Sequence, residues 1–296
     1  MPSKHRQFAA PLAAAVAFLG LCWATPAFAG AWAQEDRGLY VQLSVAGEVA
    51  GEQYKETGET FQLLSEDDEG DFRSLGSFLY AEFGVLPSLT MVAATAYRHV
   101  ELDSVQVRST ARGFGDFQLG ARYQFLDEPL VMSAYVGAKS PTGYTPDPPE
   151  LRSATLGNGV QEYEGRLLVG KSFYPAPVYV SGEVGFRLRG ARPTANGDRL
   201  DYPPEIPYFL EIGYGPTDWI WLRGVVDGVW GTGDPVAIEG VSLTPLTQRY
   251  TKVGPSVIFS FLDNYQLQLN YTYTVLGVNA LKSQQVSLGF AVDTTL

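Results

Sequence analysis

Gln266-Leu267-Gln268-Leu269-Asn270-Tyr271-Thr272-Tyr273-Thr274-Val275 alternates without a break. Leu267, Leu269, Tyr271, Tyr273 and Val275 fall on one side of an extended chain; Gln266, Gln268, Asn270, Thr272 and Thr274 fall on the other. Period two is the pattern of a strand with one apolar and one polar face. The same pattern runs through Asp116–Phe125 and Val178–Arg189, and dominates the chain from Leu39 onward.

A two-sheet sandwich also alternates, so the connectors decide the architecture. The alternation predicts strands near 39–50, 73–86, 89–102, 114–126, 130–140, 160–174, 177–190, 206–215, 219–230, 247–261, 265–276 and 283–292. Five connectors are tight turns built on Pro, Gly, Asp or Asn, such as Leu86-Pro87-Ser88 and Leu262-Asp263-Asn264; these residues supply preset or permissive turn dihedrals. They alternate with connectors that are mostly longer and polar, around 51–72, 103–113, 141–159, 191–205, 231–246 and 277–282. Short periplasmic turns, long outer loops and an even strand count describe a transmembrane antiparallel up-and-down β-barrel of about twelve strands. Only helices and closed barrels satisfy every backbone hydrogen bond inside hydrocarbon.

Residues 1–29 read as a signal peptide: Lys4 and Arg6, an apolar run from Pro11 to Trp23, then Ala27-Phe28-Ala29 before Gly30. The barrel is expected over residues 30–296, in the cell outer membrane. Cys22, the only cysteine, would leave with the leader, so the exported chain would hold no disulfide. The net charge of -11 argues against nucleic acid as a partner. The expected partners are outer-membrane lipid and lipopolysaccharide, a small-molecule solute and envelope proteins.

Phe173, Tyr174, Tyr179, Tyr208, Tyr214, Trp219, Trp221, Trp230, Phe261 and Tyr265 sit at or near predicted strand ends. Rings there suit the membrane boundary, which accommodates both an apolar body and a polar tip.

Two segments resemble the outer-membrane family named for the meta-pathway of phenol degradation, whose members are described as transporters. One is Gly113-Phe114-Gly115-Asp116, opening a strand; the other is Lys139-Ser140-Pro141-Thr142-Gly143, followed by Leu156-Gly157-Asn158-Gly159 and Gly170-Lys171-Ser172-Phe173. The resemblance implies a barrel that passes small, often hydrophobic molecules, and it supplies no catalytic residues. The chain departs from common barrel practice in ending on Leu296 rather than Phe.

Turning the polar face of each strand inward places Glu48, Glu82, Arg98, Arg122, Lys139, Glu162, Glu164, Arg166, Glu183, Arg187, Arg189, Glu211, Arg223, Asp227 and Lys252 in the lumen. Facing lipid, a midplane Arg or Lys would cost about 2 to 4 kcal/mol. Inside, these charges either line a polar pathway or fill the barrel as a salt-bridged plug. A twelve-strand barrel lies between those packed solid and those holding an aqueous channel. The loop from Pro141 to Gly159 either folds inward or stands above the membrane. The acidic loop 51–72, with Glu66-Asp67-Asp68-Glu69, reads as a solvated outer loop.

His99 is the one histidine outside the leader, on an outward-facing position, and no serine stands in a recognisable nucleophile context. No His or Cys cluster points to a metal. The sequence therefore reads as a non-enzymatic channel or transporter without cofactor, with a scaffolding barrel of an envelope complex as the alternative.

Overall fold

The structure, a computed structural model, describes residues 30–63, 71–103, 108–144, 153–193, 199–235 and 243–296. The expected leader and most of the acidic stretch Glu66–Asp71 lie outside the described residues. Fifteen strands follow in order: β1 (Gly38–Tyr54), β2 (Thr60–Gln62), β3 (Phe72–Leu86), β4 (Leu89–Asp103), β5 (Arg108–Leu126), β6 (Val131–Pro141), β7 (Glu162–Ser172), β8 (Val178–Arg189), β9 (Ala191–Pro193), β10 (Arg199–Asp201), β11 (Glu205–Thr217), β12 (Ile220–Gly231), β13 (Arg249–Phe261), β14 (Tyr265–Val278) and β15 (Leu281–Thr295). Twelve of them pair in antiparallel succession, and β15 closes on β1 from Gly38↔Thr295 to Gln53↔Leu281. β2 extends β1 above the barrel, and β9 with β10 forms a separate outer hairpin. No helix among the described residues is long and apolar enough to cross a membrane; the crossing is made by strands.

Burial is inverted relative to a water-soluble sheet, which separates barrel from sandwich. On β14, Leu269 is 44% exposed while Gln268 is 2% exposed. Leu43, Leu79, Leu119, Val136, Ile212 and Leu288 are likewise exposed on the outer surface, where hydrocarbon takes the place of water. Phe261, Tyr265 and Phe290 stack together near the periplasmic rim, with centroids 5.8–6.4 Å apart.

Two expectations need correction. Tyr179 and Trp221 do not belong to the outer aromatic belt: they share the inward parity of Ser181 and Arg223. Tyr179 donates to Glu211 inside the barrel and packs on Trp221 at 5.6 Å. The connector expected over 103–113 is mostly strand, because β5 begins at Arg108. Alternation failed there for a physical reason. The register shifts between Thr95↔Phe117 and Tyr97↔Phe114, so two residues of β5, Gly115 and Asp116, stand opposite Ala96 alone. That is a β-bulge, which re-aims side chains locally.

Candidate functional site

All fifteen charged residues expected inside are buried or half-buried, and most are joined. Asp116, inward by the same parity as Arg122, meets Lys139 of β6 at 3.2 Å, and Lys139 meets Glu162 of β7 at 2.9 Å. Arg187 of β8 continues the chain to Glu164 at 2.7 Å and to Glu205 of β11 at 3.2 Å. Arg166 bonds Glu164 and reaches Glu183 at 2.5 Å, and Arg189 forms an ion pair with Glu205 at 3.0 Å. Alternating charges thus form one network across five neighbouring strands. Farther round, Arg223 bonds Glu211 at 3.1 Å and Ser256 at 2.8 Å, and Lys252 bonds Glu48 at 2.9 Å. Burial of this many charges is tolerable because nearly all of them find an opposite partner and hydrogen bonds.

The two sequence segments that carry the family resemblance meet at this network. Tyr144, just after Gly143, donates to Asp116 Oδ1 at 2.5 Å and accepts from the Gly159 amide at 3.1 Å. Burial, then the neighbouring Asp116 carboxylate, push the Tyr144 phenol upward from its ordinary pKa, so it remains a donor. Asn158 donates to Glu162 at 3.2 Å. The described part of the loop folds inward, with Ala154, Leu156, Asn158 and Val160 buried.

The described residues of this loop border two chambers of the lumen. Beneath the loop lies a cavity of about 220 Å³, lined on one side by the charges of β7, β8, β11 and β12. Elsewhere in the lining Phe78, Ala94, Ala96 and Leu156 form an apolar patch, beside polar residues of β1, β14 and β15 such as Gln42, Asn270 and Ser287. Above lies a smaller chamber of about 90 Å³ bordered by Glu48, Lys252, Leu243 and Pro245. Arg98 and Tyr250 line both. Glu82, Arg122 and Arg189 point inward but line neither chamber. Arg122 and Glu82 form a fully buried bidentate pair at 2.7 and 3.0 Å, with Tyr80 donating to the same carboxylate.

The periplasmic end is occupied by the segment before β1. Ala31 is fully buried, and its carbonyl accepts from Ser133 of β6. Gln34 bonds Thr90 Oγ1 at 2.9 Å through its amide and Glu82 at 3.1 Å through its side chain. Trp32 lies edge-on to Tyr179 at 6.1 Å and covers Gly170, where an added Cβ would come within 2.6 Å of the ring. Backbone approach is tightest at Gly84: a Cβ there would stand 1.8 Å from the Glu35 carbonyl oxygen. Residues 30–37 therefore cross the lumen between β3 and β8.

Sequence reasoning missed this segment, because eight residues without period-two alternation carry no strand signal. It also missed Asp116 as a lumen acid and Glu205, although both share inward parity with residues it did assign, Arg122 and Glu211. His99 pairs with Glu101 at 2.8 Å rather than with a serine. Among the described residues no group of three or more His, Cys, Asp or Glu is arranged to hold a metal.

No known family's sequence profile matches this chain, and no curated protein does. Solved structures do resemble it. An outer membrane channel from Pseudomonas putida F1 superposes with a TM-score of 0.70 at 14% identity, over 89% of this chain and 97% of that one. The NanC porin superposes with a TM-score of 0.51 at 10% identity, over 86% of this chain and 100% of that one. At such identities the likeness establishes the fold, that of an outer-membrane β-barrel.

Proposed function

We propose that the protein is a passive outer-membrane channel for small, partly apolar solutes, with the charged inward residues lining the path. The observation that carries this reading is the central cavity, charged along β7, β8, β11 and β12 and with an apolar patch of Phe78, Ala94, Ala96 and Leu156 elsewhere in its lining, in a barrel whose periplasmic end residues 30–37 cross. The resemblance of its motif segments to a transporter family points the same way. Entry is from the outer chamber past Arg98 and Tyr250; exit requires residues 30–37 to yield. The scaffolding alternative draws on the ion-pair network, which stabilises a filled barrel whether or not anything passes.

The test is single-channel recording of the protein purified from outer membranes, beside a variant lacking Ala31–Asp36. The channel reading expects steady conductance that rises in the deletion variant. Two correctly folded but silent barrels would leave the scaffolding reading in its place.

A further inference from the structure

Two charges that face the central cavity stand outside the ion-pair network. Arg98 of β4 donates from Nη1 to the Leu156 carbonyl at 3.1 Å, while its Nε is buried with no acceptor. Among the described residues no carboxylate lies within 4.0 Å of it. Asp227 of β12 likewise lies within that distance of no cation among the described residues. Five strands separate β4 from β12 in either direction round the barrel, so the two stand on opposite walls. Beside Arg98 lie Phe78, Ala94, Ala96 and Leu156, an apolar patch in the wall of the same cavity.

We propose that Arg98 and this apolar patch form a binding subsite for a small monocarboxylate with an apolar body, such as a single ring bearing one carboxylate. The proposal rests on the channel reading, whose solute class it names. A guanidinium matches a carboxylate in shape and charge, and hydrogen bonds with both partners ionised are the strong ones. The ring lies against Phe78, Ala94 and Ala96 and removes their surface from water. Space is adequate: a dry cavity of about 150 Å³ accepts benzene, and this one measures about 220 Å³. Asp227 on the far wall, in a lining with six Asp or Glu against five Lys or Arg, disfavours a second negative charge, so a dicarboxylate binds less well than a monocarboxylate. Position adds a function, because Arg98 borders both chambers and meets a solute as it passes between them.

The experiment is equilibrium binding of benzoate, benzyl alcohol and phthalate to the protein purified from outer membranes in detergent. Benzoate should bind the unaltered protein more tightly than phthalate. Arg98→Gln should weaken benzoate by about tenfold or more, the value of one charge-assisted hydrogen bond, and leave benzyl alcohol nearly unchanged; Arg98→Lys should keep part of the affinity. Asp227→Asn should tighten benzoate and narrow the gap to phthalate, which tests the subsite even if Arg98→Gln does not fold. Absent benzoate binding, equal losses of benzoate and benzyl alcohol, or indifference to both substitutions would overturn the subsite. Binding is read without current: a silent barrel that binds benzoate through Arg98 fails only as a channel, and a conducting one indifferent to benzoate fails only in this subsite.

Discussion

The Glu82–Arg122 pair poses the sharpest energetic question at the scale of single residues. Both side chains are wholly removed from solvent, so each depends on the other for its charge to be tolerated. Arg122→Met leaves Glu82 buried with Tyr80 and Gln34 as its remaining donors. Breaking one side of a buried pair costs about 3 to 5 kcal/mol, and urea unfolding of the barrel in lipid should register that loss. The double variant Glu82→Gln, Arg122→Met should recover most of it, because no unpaired charge remains. A single variant as stable as the parent would mean that the pair contributes nothing. Inward parity was legible for these residues in the sequence, since a strand alternates strictly. Their pairing was not, because partners such as Lys252 and Glu48 lie 204 positions apart and meet only once the sheet closes.

At the scale of elements, alternation located all twelve barrel strands, with boundaries off by a few residues. It failed where the period itself is interrupted, at the Gly115–Asp116 bulge. It was also silent on residues 30–37, whose conformation is set by the barrel interior rather than by any pattern of their own. Gly84→Val tests that segment directly. The side chain would collide with the Glu35 carbonyl, so the segment must leave its seat, and single-channel conductance should increase in the direction expected for the deletion. Gel mobility before and after heating should still report a folded barrel. An unchanged conductance would show that the segment does not limit current. For the bulge, Asp116→Asn removes the charge that Lys139 and Tyr144 share. The inward loop should then become more accessible to protease added from outside, by about tenfold or more if one charge-assisted bond is lost; equal cleavage would show that Asp116 does not hold it.

For the whole molecule, charge balance decides how ions of either sign are treated. The lining of the central cavity holds five Lys or Arg and six Asp or Glu, with most of them paired. The reversal potential in a potassium chloride gradient should therefore stay close to zero, and Arg98→Gln should move it toward cation selectivity. A strongly selective parent channel would place the conducting path elsewhere. Fold class was legible at this scale from the alternation of short and long connectors. The solute was not, because a solute is recognised by what is left unpaired after the barrel has formed, and sequence alone does not show which charges find partners.

The seam between β1 and β15 carries a kinetic consequence. It pairs Gly38 with Thr295, so the last ladder to form joins the two ends of the chain, and the entropy of closing so long a loop is spent in a single step. Non-local pairing of this kind makes folding slow. Until that step, β15 and β1 present open edges that hydrocarbon cannot satisfy. A chain halted before Leu281 would therefore not be a slightly smaller barrel; it would be an unclosed sheet with two raw edges, dependent on some other surface to cover them.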